Sequence, residues 1–143
     1  MDDIYNELIM EHSMNSYNKK SLSCADYCEI GHNPNCGDEI TIELKLDGNI
    51  IKDMAFSGHG CAISQASTSI MIDTLKGKTV EEAKAIILDF YGLVMGNLPE
   101  DEDRLGEAIA YMGVKDFPAR IKCATLSWKA IEKGIDEVEQ SGK

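Results

Sequence analysis

Apolar and polar residues alternate strictly along Ile40-Thr41-Ile42-Glu43-Leu44-Lys45-Leu46. A period of two is what a strand with one buried and one wet face requires. Beyond Asp47-Gly48-Asn49, a second strand offers Ile50, Met54 and Phe56 at even positions. Both apolar sets must share a face, because a one-residue slip would turn one of them to solvent. A three-residue turn meets that demand and predicts Leu46 paired with Ile50, Ile42 with Met54 and Ile40 with Phe56, the turn residues being ones that tolerate left-handed backbone. Extended outward, the same register sets Asp38 opposite Gly58 and Cys36 opposite Gly60, which brings Cys61 next to Cys36.

Past Gly60 the period changes to that of a helix. Ile63, Ala66, Ile70, Met71, Thr74 and Leu75 recur at helical spacing, and Gly77 supplies a stop. Thr79-Val80-Glu81-Glu82 has the form of a capping box and opens a helix that turns Ala83, Ile86, Ile87 and Phe90 inward. After a break from Gly92 to Asp103, the acidic run Glu100-Asp101-Glu102-Asp103 reads as a solvated start to a helix carrying Leu105, Ala108, Ile109 and Met112. A last helix begins near Phe117-Pro118, proline being suited to a first turn, and lays Ala124, Trp128, Ile131, Ile135 and Val138 on one stripe. At the other end of the chain, Asp2 and Asp3 can cap a short helix with Ile4, Tyr5, Leu8 and Ile9 on one side.

Between Asn15 and Asn35 the pattern fades into a loop or irregular edge segment, with Ser21 to Ile30 as the source of a third strand. The sum is an α+β fold: a small antiparallel sheet of about three strands covered on one face by helices, within one domain spanning residues 1–143.

Charge narrows the range of partners. The chain of 143 residues carries a formal net charge of -11, so its field repels nucleic acid and anionic membrane surfaces. The acidic start Met1-Asp2-Asp3 is unlike a signal peptide and no apolar run is long enough to span a bilayer, which predicts a cytoplasmic protein. Five cysteines are many for a reducing compartment, and the number is odd, so metal binding or thiol chemistry is preferred to a disulfide framework.

The chemistry centres on Asn33-Pro34-Asn35-Cys36-Gly37-Asp38, where a thiol and a carboxylate stand two residues apart. Joined by Cys61 and Cys123 they make four ligands, enough for a tetrahedral metal. Cys61 falls at the first turn of a helix, where unpaired N–H groups and the helix dipole favour negative charge. Gly58 and Gly60 give backbone room there without making a nucleotide loop, and His59 is a spare ligand or a hydrogen-bonding neighbour. A rival set, Cys24, Cys28, His32 and Cys36, is spaced four apart and would stack on one face of a continuous helix. Pro34 argues that such a helix ends before Cys36.

Three separated motifs together resemble the U-type iron-sulfur cluster assembly family, with its IscU and SufU branches. They are Asn33-Pro34-x-Cys36-Gly37-Asp38, Gly58-x-Gly60-Cys61-Ala62-Ile63-Ser64, and the run from Phe117-Pro118-Ala119-Arg120-Ile121-Lys122-Cys123 to Ala130. Lys122 stands where the IscU branch has histidine, and the long segment between Cys61 and Cys123 looks like an insertion of the SufU branch. The chain departs from the family at Asn15-Ser16-Tyr17-Asn18, where Asn-Pro-Arg-Asn is common, and Cys24 and Cys28 are extra.

The resemblance implies that Cys36, Asp38, Cys61 and Cys123 bind zinc. It also implies a sulfur acceptor working with a pyridoxal-phosphate cysteine desulfurase, Arg120 matching a residue important at that interface. Three thiolates and a carboxylate leave the zinc shell formally at minus two, an excess that Arg120 or Lys122 can partly offset. On this reading a ligand of the partner enzyme, an imidazole, displaces Cys36, which then attacks the enzyme's persulfide. Cys36 precedes a flexible loop and can swing out, whereas Cys123 lies on a helix. The same four residues also suit a second role, a scaffold on which a [2Fe-2S] cluster is built from iron and passed to a downstream scaffold or apo-proteins. A third is a zinc-stabilised interaction domain.

Overall fold

The structure is a computed structural model that describes residues 7–15, 18–22, 27–33 and 37–141. In chain order the elements are α1 (Glu7–Asn15), β1 (Tyr27–Asn33), β2 (Asp38–Asp47), β3 (Ile50–His59), α2 (Ala62–Leu75), α3 (Val80–Val94), two 3-10 segments (Glu102–Arg104 and Gly106–Asp116) and α4 (Pro118–Ser141). The three strands form one antiparallel sheet in the order β1-β2-β3. The expected α+β architecture is therefore present, and the third strand begins within the segment assigned to it and runs on to Asn33.

The hairpin pairs differently from the expectation. Ile42 lies opposite Phe56 and Leu44 opposite Met54, a displacement of two residues, and the turn closes on Asp47 and Ile50. A two-residue shift keeps every side chain on its face, so Ile40, Ile42 and Leu44 are all buried as predicted. A bulge opposite the Lys45–Leu46 step then reverses the alternation at the turn end of β3. As a result Ile51 is fully buried while Ile50, expected inside, is 43% exposed.

The outer edge of β3 is covered by chain. The Lys20 amide donates to the Phe56 carbonyl, the Phe56 amide donates to Asn18, and the Ile51 amide donates to Lys78. Such backbone bonds block a sheet edge against further pairing.

Helix α2 lies at the centre, buried around most of its circumference, which is why small polar residues alternate with its apolar ones. Ser67 donates to the Ala124 carbonyl and accepts from Trp128 Nε1 at 2.9 Å, joining α2 to α4. Asn18 donates to the Ser69 carbonyl and to Asp73, and His12 Nδ1 is 2.8 Å from Ser69 Oγ, joining the N-terminal segments to the other side. The predicted capping box of α3 is present in both directions between Thr79 and Glu82. Phe90 of α3 stacks on Trp128 of α4 with ring centroids 3.9 Å apart and planes 5° from parallel. The stripe of α4 thus packs chiefly on α2, α3 and β1 rather than on the hairpin.

The segment expected to be an α-helix around Leu105 to Met112 is 3-10 instead. Its buried residues are Leu105, Ala108, Tyr111 and Val114, a strict spacing of three, whereas Ile109 and Met112 are only half-buried. Three residues per turn is the 3-10 period, and the pattern was present in the sequence.

Candidate metal centre

Asp38 opens β2 with its side chain fully buried. A carboxylate in that position requires compensating donors or a cation. One donor is the Cys61 amide, 2.9 Å from Asp38 Oδ1. Cys61 is the N-cap of α2, so the same contact fixes the helix entry against the first residue of the strand. Cys123, fully buried, arrives from the second turn of α4. A carboxylate oxygen of Asp38 and the sulfurs of Cys61 and Cys123 all lie within 4.8 Å of one another. The Cys61 thiol is 3.9 Å from Asp38 Oδ2 and 3.7 Å from Ser64 Oγ.

Three of the four residues singled out from the sequence therefore converge, although Cys123 is separated from Asp38 by most of the chain. The fourth, Cys36, lies outside the described residues. The predicted pairing of Asp38 with Gly58 is replaced by one in which Ile40 faces Gly58 and Glu39 faces His59, so that Asp38, next along the strand, comes against Gly60.

The glycines are there for contact distance. A Cβ added to Gly60 would lie 2.4 Å from Ser64 Oγ and 2.9 Å from Asp38 Oδ1. At Gly58 the backbone has φ +107° and a Cβ would sit 2.3 Å from the Glu39 carbonyl oxygen. Gly60→Ala is expected to displace the Asp38 carboxylate and lower metal affinity by about 10- to 100-fold, as loss of a supporting group typically does. Competition with a chromogenic chelator measures this.

None of the other candidates joins this cluster among the described residues. Arg120 is half-buried in the first turn of α4, one turn before Cys123, with its amide donating to the Phe117 carbonyl. His59 is exposed and belongs to no ligand cluster among the described residues. The rival set fails because Cys28 and His32 both belong to β1. Four residues of strand separate their Cα atoms by about 13 Å, beyond the reach of one ion.

Two contributors were not read from the sequence. Ser64 accompanies Cys61 one turn into the helix, its hydroxyl donating to the Cys61 carbonyl at 3.1 Å. Tyr111 lies beneath, fully buried, and donates to the Ile63 carbonyl at 2.7 Å. Burial, reinforced by the neighbouring Cys61, pushes its phenol well above the ordinary tyrosine value, so it stays a neutral donor. A second cluster, His12, Asp73 and Glu107, also gathers possible ligands. Both ring nitrogens of His12 are engaged there, one with Ser69 and the other 3.2 Å from Glu107, and the arrangement latches α1 to α2.

The donor set at Asp38, Cys61 and Cys123 is suited to a thiophilic divalent metal, and zinc accepts this mixture of sulfur and oxygen. Among the described residues no helix is long and apolar enough to cross a membrane.

Residues 4–140 match the family model of the NifU-like N-terminal domain. The chain is 45% identical to the zinc-dependent sulfurtransferase SufU of Bacillus subtilis over 97% of its own length and 94% of the relative's. It is 38% identical to the iron-sulfur cluster assembly scaffold protein IscU of Streptococcus pyogenes, covering 94% of this chain and 84% of that one. Among solved structures it is similar to the putative iron-sulfur cluster assembly scaffold protein for the SUF system from Fervidobacterium islandicum. That match has a TM-score of 0.85 at 41% identity and covers 92% of this chain and 96% of the other.

Proposed function

Because this chain belongs to the family of NifU-like N-terminal domains, we propose that it is a zinc-dependent sulfur acceptor that takes persulfide sulfur from a cysteine desulfurase and raises its turnover. The observation that carries this reading is the convergence of Asp38, Cys61 and Cys123 from three distant stretches onto one point. Nearly full-length likeness to a zinc-dependent sulfurtransferase supports it.

Cys36, Asp38, Cys61 and Cys123 would hold the metal. Zinc supplies no redox chemistry; when bound it keeps thiols in their anionic form and guards them from oxidation. The rest belongs to the chain. Asp38 and the Cys61 amide hold one thiol in place, and Cys123 is immobilised by complete burial. Cys36, two residues ahead of β2 in the sequence, is left as the acceptor. Its thiolate attacks the outer sulfur of the enzyme's persulfide, a new S–S bond forms at Cys36, the enzyme's own S–S bond breaks, and its cysteine leaves as a thiolate. Arg120, in the first turn of α4, offsets part of the negative charge and meets the partner.

The scaffold reading uses the same residues and is favoured by the likeness to IscU. Metal analysis of freshly purified protein, followed by a desulfurase assay with and without it, tests the two. Stoichiometric zinc with stimulated turnover is the expected result. Iron and sulfide in the purified protein, with cluster delivery to an apo-acceptor and no stimulation, would replace this reading with the scaffold. A desulfurase indifferent to the protein, while chelation lowers its melting temperature, would reduce the zinc to a structural role.

A further inference from the structure

The two edges of the sheet are treated differently. Bonds from Asn18, Lys20 and Lys78 cover the outer edge of β3. Among the described residues no strand lies on the outer side of β1, and no loop or cap backbone bond reaches residues 28–33. Open edges of this length are sites for pairing with another chain unless something blocks them.

Beside that edge runs α4, and between them is a groove. Gly31 lets the helix approach, since a Cβ there would lie 3.1 Å from Leu126 Cγ. Leu126 and Ala130 give the groove an apolar floor, and Ile30, at 62% exposed, forms one lip. Lys122, Lys129 and Lys133 project along the other side, all exposed, with His32 at one end. Among the described residues no carboxylate lines it, in a chain whose acidic residues outnumber its basic ones 25 to 14. Glu29 and Glu137 stand near Lys133 and offset part of its charge, so the cationic character is strongest toward Lys129 and Lys122.

We propose that the groove between the outer edge of β1 and α4 is a docking site for an extended acidic segment of a partner protein. The segment's backbone continues the sheet from β1; alternate carboxylates point toward α4, where their stems lie on Leu126 and Ala130 and their heads meet the lysines, while the intervening apolar side chains point to the other face beside Ile30. Main-chain bonds supply affinity in such strand addition, and side chains at alternate positions select the sequence. Charge complementarity selects an acidic segment: the stripe is a positive island on a negative protein, so the attraction is local to the groove and acts against the long-range repulsion of a chain with net charge -11. The site goes beyond the sulfur-acceptor reading, since neither the metal ligands nor the sulfur chemistry takes part.

The test uses the full chain as purified and a fluorescein-labelled peptide of alternating glutamate and valine. Glutamine-valine and lysine-valine peptides and a single-stranded DNA oligonucleotide serve as comparisons. The acidic peptide is expected to bind, and Lys129→Glu with Lys133→Gln to weaken it by at least about tenfold; glutamine at 133 avoids a third carboxylate beside Glu29 and Glu137, and circular dichroism checks that the double variant keeps its fold. Amide NMR shifts on binding are expected at residues 28–33 and along residues 122–133. Equal binding of the glutamine peptide, undiminished binding by the double variant, or shifts confined elsewhere would each overturn the proposal. Tighter binding of the oligonucleotide than of the acidic peptide would overturn it too, reassigning the stripe to nucleic acid. Persulfide transfer to the double variant, assayed separately, keeps failure here distinct from failure of the sulfur-acceptor reading.

Discussion

Cys36→Ser is expected to abolish sulfur uptake from a cysteine desulfurase, with no added sulfur in the intact mass of the protein after incubation with the enzyme and cysteine. The prediction rests on what holds the other two thiols. Cys61 caps α2, and its amide is bonded to Asp38 at 2.9 Å, so moving it disturbs both the helix entry and the start of β2. Cys123 is fully buried within α4, and bringing its sulfur to a partner would require the helix to open. Cys36 is next in sequence to Gly37, which comes just before β2 and has φ +71° and open space where a Cβ would be. A serine there keeps the size and removes the nucleophile, since an alkoxide is not accessible at neutral pH as a thiolate is. Undiminished sulfur loading of this variant would remove Cys36 from the mechanism and return the choice to the two held thiols. Cys61→Ser and Cys123→Ser, by contrast, are expected to lower metal content first and sulfur loading in consequence.

The second large effect is on stability. Trp128→Ala is expected to cost about 3–5 kcal/mol, the range for removing a large buried aromatic side chain. Trp128 is fully buried, stacks on Phe90 and donates to Ser67, so one side chain ties α4 to both α3 and α2. Cys61 caps α2 and Cys123 lies in the second turn of α4, so a loosened joint between α2 and α4 should weaken metal retention as well. Trp128→Phe keeps most of the packing and loses the Ser67 hydrogen bond, a net cost of about 0.5–1.5 kcal/mol for the bond itself. Urea unfolding followed by circular dichroism measures both, since Trp128 is the one tryptophan and its fluorescence is lost with it. A Trp128→Ala variant as stable as the parent, with full metal content, would show that the α2–α4 joint is held elsewhere.

Much of the architecture was written locally. The alternation at Ile40 to Leu46, the capping box at Thr79 and Glu82, the proline opening α4 and the stripe at Ala124, Trp128, Ile131 and Ile135 each act over one or two turns or one strand, and each reappears in the fold. The candidate ligands were legible because a thiol and a carboxylate two residues apart, and cysteines at helix starts, are uncommon contexts that chemistry explains better than packing. Burial of Ser64, Ser67 and Ser69 was not legible, because a helix enclosed by neighbours on nearly every side can satisfy hydroxyls from α1 and α4 that its own sequence does not announce.

By itself, then, the sequence determined which segments become strands and helices, which faces turn inward, and which side chains have metal chemistry. These depend on period, on caps and on donor atoms, all properties of a short stretch. The tertiary structure decided the hairpin register, since pairings two residues apart leave identical faces buried and only the bulge and the packing around β3 separate them. It also decided that Asp38, Cys61 and Cys123 meet, and that β1 is left with an open edge beside the lysines of α4. Contacts between residues far apart along the chain are set by how whole elements pack, and no local period encodes that.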